Sequence, residues 1–359
     1  MDSIPMLYPG RSWANPYAVP PREVGVTAYL LMARTRRSDP SSDGFTRRRS
    51  GNGFRYLKPT GAAVSVEDRA RIDALAIPPA WRHVWICPDP MGHVQATGRD
   101  DAGRTQYIYH EAWWAHRDRL KHEEMLNFAR VLPKVRRRAH ADLRTRGFNR
   151  DRVLAAAIVL LDRGLFRIGN EAHTQSNGSY GLTTIQRRHV TVEGDLLRFA
   201  YRAKAGVRQM HEIEDRDLAA LISKLRRRQG SPADLLMYKE RGRWADVRAD
   251  AVNEHLRDLA GIDCSAKDFR TWNATVLAAV ELANRGLPDA SRARERVIRQ
   301  TVCAVADELG NTPSVCRTSY IDPRVFDIYR NGQVIAPASQ LESHAARRRA
   351  ELSVLRGLS

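Results

Sequence analysis

The sequence has little cysteine, and none of it forms a metal-binding or disulfide pattern. Its four cysteines are far apart and include no Cys-x-x-Cys pair, so neither a zinc site nor a disulfide framework is predicted. Free cysteine is among the most buried residue types, and we expect buried, reduced thiols in a cytoplasmic protein. The four are Cys87, Cys264, Cys303 and Cys316.

Long apolar runs are also absent. The longest, Val153 to Leu161, has nine residues, whereas a membrane span needs roughly 20. The N-terminus lacks the basic-then-apolar order of a signal peptide. The sequence therefore predicts neither membrane insertion nor export.

Several nucleotide-binding and catalytic signatures are missing. There is no Walker loop, no Gly-x-Gly-x-x-Gly after a strand, no His-Glu-x-x-His and no Gly-x-Ser-x-Gly. Nucleotide hydrolysis, dehydrogenase chemistry and zinc proteolysis are disfavoured.

Acidic residues are the minority charge. Lys and Arg number 59 against 41 Asp and Glu, a formal charge of +18, which would attract a polyanion such as nucleic acid. Twelve of the basic residues lie between Arg117 and Arg152, against five acids. This stretch, with its Arg136, Arg137 and Arg138, is either a phosphate-facing strip or a solvated helix surface.

The 359 residues are enough for about two domains, and three regions are distinguishable. Residues 1–42 are proline-rich and partly basic, which predicts a disordered leader. Residues 43–112 contain short β-favouring runs broken by turns, which predicts a small antiparallel β-rich domain. Residues 113–359 form a larger, mainly α-helical domain. A three-stranded meander between Arg188 and Ile213 interrupts its helices, so the predicted class is α+β.

Four residues at element boundaries are candidates for chemistry on an anion: Arg167, Lys204, Arg270 and Tyr320. Arg270 lies near the start of a helix, where a cation opposes the helix dipole. This position is unfavourable unless something such as a bound anion requires the cation there. Phosphoryl transfer needs fixed cations around the phosphate oxygens, an in-line nucleophile and an acid for the leaving oxygen. Two arginines, a lysine and a tyrosine can fill these roles without metal.

Eight segments between Gly53 and Pro323 match a known family in order. They are Ile77–Trp81, Val84–Pro88, Gly92–Gly98, Gly103–His110, Phe166–Glu171, Gly181–Thr184, Ala266–Trp272 and Leu309–Tyr320. In these segments the chain resembles the type IB DNA topoisomerases, in particular the compact poxvirus-like form found in bacteria.

This resemblance implies a catalytic domain of the tyrosine recombinase/topoisomerase IB type and a monomer that clamps double-stranded DNA and relaxes its supercoils. Tyr320 would attack the scissile phosphate to form a 3′-phosphotyrosyl link, and Arg167 and Arg270 would hold its nonbridging oxygens. Lys204 would protonate the 5′-oxygen. Asn311 stands where many relatives have histidine, and its neutral amide can donate a hydrogen bond to the phosphate. Neither ATP, metal nor another cofactor is expected, and the expected location is the cytoplasm, on the nucleoid.

Contacts to DNA are expected from both domains. Alternation along a strand puts Tyr107 and Tyr109 on one face and Gln106 on the other face or at the rim. The two tyrosines either face the core or, as the family suggests, approach DNA. Gln106 could meet adenine edges. The full candidate set is Arg104, Gln106, Tyr107, Tyr109, Arg136, Arg137, Arg138 and Lys267.

Two other functions fit part of the pattern. A tyrosine recombinase uses a similar Arg, Lys, Arg, Tyr set, but it usually has histidine three residues before the second arginine, where this chain has Lys267. A non-catalytic architectural DNA-binding protein would explain the charge alone. It would leave no covalent protein-DNA adduct.

Overall fold

The computed structural model describes residues 35–169, 174, 178–230, 233–338, 341 and 343–359. The chain divides into two compact units between His122 and Glu123. This division falls inside a helix, α2 (Glu111–Leu143), close to the sequence-predicted boundary before Trp113. Residues 1–34, most of the predicted leader, lie outside the described residues.

The first unit is built on a five-stranded antiparallel sheet. Its five strands lie in the spatial order second, first, third, fourth and fifth along the chain. Helix α1 (Val66–Ala74) begins after Ser65, whose Oγ accepts a hydrogen bond from the backbone N–H of Asp68. The strands are Phe45–Ser50 (β1), Gly53–Leu57 (β2), Arg82–Ile86 (β3), Val94–Arg99 (β4) and Thr105–Tyr109 (β5).

The end of the predicted leader has a defined place in this unit. The backbone N–H of Arg36 donates to Met91 O at 2.8 Å, and the N–H of His93 donates back to Arg36 O at 2.8 Å. The hydroxyl of Ser38 donates to Val94 O at 3.0 Å. Residues 35–42 are therefore held beside the turn between β3 and β4.

The second unit is mainly helical. Its strands are Val190–Glu193 (β6), Leu196–Arg202 (β7) and Arg208–Glu214 (β8), which form an antiparallel meander, and Met237–Glu240 (β9) and Arg243–Asp246 (β10), which form a hairpin. Its helices, after α2, are Arg150–Gly164 (α3), Arg216–Arg226 (α4), Ala249–Ala260 (α5), Ala266–Asn284 (α6), Ser291–Leu309 (α7), Pro313–Ser319 (α8), Pro323–Arg330 (α9) and His344–Leu358 (α10).

Helices α3 and α6 are the centre of the second unit. Every residue from Val153 to Leu161 is buried, because this run is apolar on all sides and needs neighbours all round. Helix α6 buries Phe269 and Trp272, and Phe269 meets Phe128 of α2 edge to face at 4.9 Å. Ser265 and Asp268 form the predicted capping box at its start.

The predicted α+β class is confirmed: an antiparallel β region precedes a helical core that contains the meander. Strand β1 and the β9–β10 hairpin were not predicted. In β1 (FTRRRS) only Phe45 is buried and the remaining residues are polar, so the sequence shows no strand pattern there. The cysteine prediction is wrong for Cys303, which is exposed, and holds for the burial of the other three. No helix in the described residues combines the length and apolar character that crossing a membrane requires.

Candidate active site

Arg270 links the ends of two other helices. It is the fifth residue of α6 and only 4% exposed. One guanidinium nitrogen donates to Leu165 O, just after α3, and another donates to Leu309 O, at the end of α7, at 2.9 Å. The buried cation thus satisfies carbonyls that these helix ends leave without intrahelical partners.

Arg167 follows α3 and reaches the same end of α7. Its Nη2 donates to Gly310 O at 2.6 Å and to Asn311 Oδ1 at 2.5 Å. The backbone is fixed by the N–H of Leu182, which donates to Arg167 O. Glycine is favoured at position 310 because its φ is +59°, and a Cβ there would displace the Gln209 amide, whose Nε2 would lie 2.1 Å away.

The oxygen and the nitrogen of the Asn311 amide have different surroundings. Arginine has no acceptor, so the amide oxygen of Asn311 faces Arg167 and its NH₂ points away. In the described part of the chain this buried Nδ2 has no hydrogen-bond partner. An unsatisfied buried donor is costly, and a ligand oxygen beside it would remove that cost.

Tyr320 lies beside both arginines. It caps α8, which begins with Thr312 as N-cap and Pro313 in the first turn, and its N–H donates to Cys316 O. The Arg270 guanidinium lies over the Tyr320 ring, 5.1 Å from the centroid. The site therefore brings together Arg167, Arg270, Asn311 and Tyr320, which the chain spreads over three separate segments.

The electrostatics favour an anion at the phenol. Burial raises the pKa of Tyr320, but the charges of Arg270, Arg167 and Lys267 outweigh it and lower the pKa below its ordinary value. Burial and the charge of Arg270 lower the pKa of Arg167, as expected where two cations share a desolvated site. Both arginines would gain from a phosphate between them.

Lys204 lies at the tip of the turn between β7 and β8. It opens a short 3₁₀ turn, Lys204–Gly206, and is exposed. The N–H of Ala203 donates to Val207 O, and Gly206 takes a φ of +76°. The lysine thus stands on a closed hairpin whose strands are anchored in the meander.

Two side chains that sequence reasoning missed support the site. Tyr201 on β7 and His211 on β8 face each other, with 3.3 Å between the Tyr201 hydroxyl and His211 Nε2. Burial and the two arginines lower the pKa of His211 to about 4, and burial raises the pKa of Tyr201. Both groups are therefore neutral near pH 7. The alternation along β7, which buries Leu197, Phe199 and Tyr201, was the available signal.

The predicted contact residues of the first unit lie on β5 and the turn before it. Tyr107 and Tyr109 stack on the same face, with ring centroids 5.9 Å apart, and Tyr107 is 46% exposed. Gln106 and Arg104 both donate to the Asp100 carboxylate. This lowers the pKa of Asp100 to about 2 and orders the turn.

The basic stretch on α2 divides into two kinds of residue. Arg137 and Arg138 are exposed, and Arg138 donates to Asp258 O. Arg136 instead makes bidentate contacts to both Asp162 and Glu351. Its assignment to a DNA-facing strip is corrected, because both pairs of N–H donors of this guanidinium bind carboxylates and neither is available for a phosphate. Among the described residues, no cluster of His, Cys, Asp or Glu is suited to hold a metal ion.

A tyrosine beside two arginines is suited to transfer of a phosphodiester. Comparison with known proteins shows to which family the chain belongs. Residues 110–331, more than half of the chain, match the family described as "Eukaryotic DNA topoisomerase I, catalytic core". Residues 53–100 match "Bacterial DNA topoisomerase IB, N-terminal domain". The chain therefore belongs to the type IB DNA topoisomerase family.

Individual relatives span different shares of the chain. "DNA topoisomerase 1B" of Acanthamoeba polyphaga mimivirus is 26% identical over 296 residues, which cover 80% of this chain and 88% of the relative. "DNA topoisomerase 1" of Mycosarcoma maydis is 22% identical over 222 residues, or 55% of this chain and 22% of the relative. The viral relative thus matches nearly along its whole length.

Proposed function

We propose that this enzyme relaxes supercoiled double-stranded DNA by cleaving one strand, letting it swivel and resealing it, without ATP or metal. The observation that carries the proposal is the Tyr320 phenol beside two desolvated arginines whose charges lower its pKa. A phenol alone is a weak nucleophile near pH 7. Neighbouring cations stabilise both the phenolate and the charge that develops on the phosphate.

In the proposed reaction the Tyr320 oxygen attacks phosphorus as the bond from phosphorus to the 5′-oxygen breaks. The phenolic proton leaves to solvent, and the 5′-oxygen takes a proton from the Lys204 ammonium. The product is a 3′-phosphotyrosyl bond and a free 5′-hydroxyl. Religation is the same step in reverse, and the covalent bond retains the energy needed for it.

Arg167 and Arg270 would hold the two nonbridging oxygens. Arginine suits this role because its fork is always charged and can donate two bonds in one plane. The carbonyls of Leu165, Leu309 and Gly310 orient the two guanidinium groups before DNA arrives. Such preorganisation avoids rearrangement during the reaction.

Asn311 would add a third donor. Its oxygen accepts from Arg167 while its Nδ2 is buried and unpartnered within the described residues. A nonbridging oxygen would be the partner that this nitrogen lacks. Asn311 would therefore act by hydrogen bonding alone, because an amide has no titratable proton in this range.

Both units would contact duplex DNA, with the enzyme acting as a monomer on the nucleoid. The stacked Tyr107 and Tyr109 and the neighbouring Gln106 and Arg104 form the candidate surface of the first unit. In the second unit the candidates are Arg137, Arg138 and Lys267. A leader of 1–42 and domain limits of 43–112 and 113–359 stay predictions from the sequence; residues 35–42 are hydrogen-bonded within the first unit, and the two compact units divide after His122.

The decisive experiment removes only the phenolic oxygen. Tyr320→Phe should retain the fold and DNA affinity but form no denaturant-resistant protein-DNA adduct and relax no plasmid in EDTA without ATP. Tyr238→Phe is the matched control, since Tyr238 is also a half-buried tyrosine of the second unit. Plasmid relaxation by Tyr320→Phe at the control's rate would refute the proposal.

A further inference from the structure

Helix α10 lies beyond the segment that matches the family core, which ends at residue 331. It is nevertheless tied into the interior of the second unit. Ala350 and Val354 are fully buried, and Glu351 is only 8% exposed. A charged residue is rarely buried unless it is paired, so its partners show what the helix is connected to.

Four charged groups form one network, in which the two carboxylates are buried and the two arginines are about a quarter exposed. Arg136 of α2 bonds both oxygens of Asp162 on α3, at 2.8 Å each, and both oxygens of Glu351 on α10, at 2.7 Å each. Arg347 of α10 donates to Glu351 at 3.3 Å and lies 3.8 Å from Asp162. Two cations thus balance two carboxylates, and the network is neutral as a whole.

The network continues into the two segments that carry the active-site arginines. Arg347 Nη2 donates to the backbone oxygen of Asp162 at 2.7 Å and to Asn273 Oδ1 at 2.8 Å. Asn273 Nδ2 donates to the same Asp162 oxygen at 3.0 Å. Asp162 is in the last turn of α3, just before Arg167, and Asn273 is one turn after Arg270 on α6.

We infer that Arg347 and Glu351 of α10 are positioning residues, which hold the end of α3 against α6 and thereby set the spacing of Arg167 and Arg270. This rests on the proposed function, in which both arginines hold the scissile phosphate. Arg270 itself bonds Leu165 O, so a shift of α3 relative to α6 would move this cation and the start of the Arg167 segment together.

The test compares two arginines of the same helix. Arg347→Gln removes the bonds to Asp162 and Asn273, whereas Arg349→Gln removes an equal charge from an exposed position. Both variants lose one positive charge, which controls for the change in net charge. Because a misplacement of about 1 Å can cost on the order of 10²-fold in rate, we expect Arg347→Gln to slow single-turnover cleavage by about 10- to 100-fold relative to Arg349→Gln, with similar duplex affinity.

A second substrate separates misplaced arginines from a merely less folded protein. On a duplex whose mapped scissile phosphate is a neutral methylphosphonate, the arginines have less charge to stabilise. The rate ratio between Arg349→Gln and Arg347→Gln should therefore shrink towards one. Partial unfolding would lower the rate on both substrates by the same factor.

Should Arg347→Gln not fold, Arg347→Lys allows the same comparison, because an ammonium keeps the charge near Glu351 but lacks the planar fork. Equal rates of the Arg347 and Arg349 variants on the normal phosphodiester, or an unchanged ratio on the methylphosphonate, would overturn the inference. Either result is distinct from failure of the proposed function, in which wild type itself would form no adduct through Tyr320.

Discussion

Replacement of Asn311 by aspartate should stabilise the protein while nearly abolishing strand cleavage. The two side chains have the same shape, so the aspartate would keep an oxygen for Arg167, now as an ion pair. The variant would lose the Nδ2, for which the described part of the chain offers no partner, and would place a second carboxylate oxygen there. A negative charge would also stand where we propose that a nonbridging phosphate oxygen binds.

The size of each effect can be worked out from the geometry. Loss of one preorganised donor costs about 10²- to 10³-fold in rate. Repulsion between two unit charges about 4 Å apart is about 4 kcal/mol at an effective dielectric constant of about 20, which is a further factor of about 10³. Because the arginines screen part of this repulsion, we expect a loss of at least about 10³-fold.

The same substitution should raise the stability of the folded protein while it lowers the cleavage rate. The variant removes a buried unsatisfied donor, a group that costs about 1–3 kcal/mol. Its second carboxylate oxygen is desolvated in the same place, and we expect the attraction of Arg167, now an ion pair, to outweigh that cost. Each kcal/mol is worth about 2–4 °C in Tm for a unit of this size. Asn311→Asp should therefore melt a few degrees above wild type in the absence of DNA.

The assay pairs single-turnover adduct formation with thermal unfolding of the free enzyme. Asn331→Asp is the control, since it adds the same charge at an exposed position. Asn311→Ala should fall between wild type and aspartate in rate, and Asn311→His should be tolerated because an imidazole N–H can donate the same bond. Cleavage by Asn311→Asp within about tenfold of the control would refute the role of the amide, because the lost donor alone is expected to cost more than that.

Three further predictions concern the acid, the nucleophile and the interface. Lys204→Ala should cleave a normal phosphodiester slowly but recover when sulfur replaces the 5′-bridging oxygen, because a thiolate leaves without a proton; no recovery would assign the acid elsewhere. With subsaturating DNA, the cleavage rate should rise with pH and level off above the pKa of Tyr320, which lies below that of an ordinary tyrosine. Lys267→Gln removes one of the cations that lower this pKa and should therefore move the inflection to higher pH. Duplex affinity should fall with salt with a log-log slope of about −0.9 per phosphate contact, and a flat response from roughly 50 to 200 mM would contradict a phosphate-tracking interface.

Local patterns in the sequence were enough to predict much of the fold. The apolar run of α3, the capping box at Ser265 and the alternation of the β6–β8 meander each depend on neighbours within a few residues. Such periodicities report which face of an element is buried. The ordered motifs likewise indicated the family and named Arg167, Arg270 and Tyr320 as candidates.

Tertiary structure decided the partners of these residues. Within one arginine triplet, Arg136 is locked between Asp162 and Glu351, the latter 215 positions away, while Arg137 remains exposed. Arg167 donates to the Asn311 oxygen, and among the described residues nothing accepts from its buried Nδ2. No local pattern contains this information, because hydrogen bonds between distant segments form only when helices pack and exclude the water that would otherwise satisfy each group.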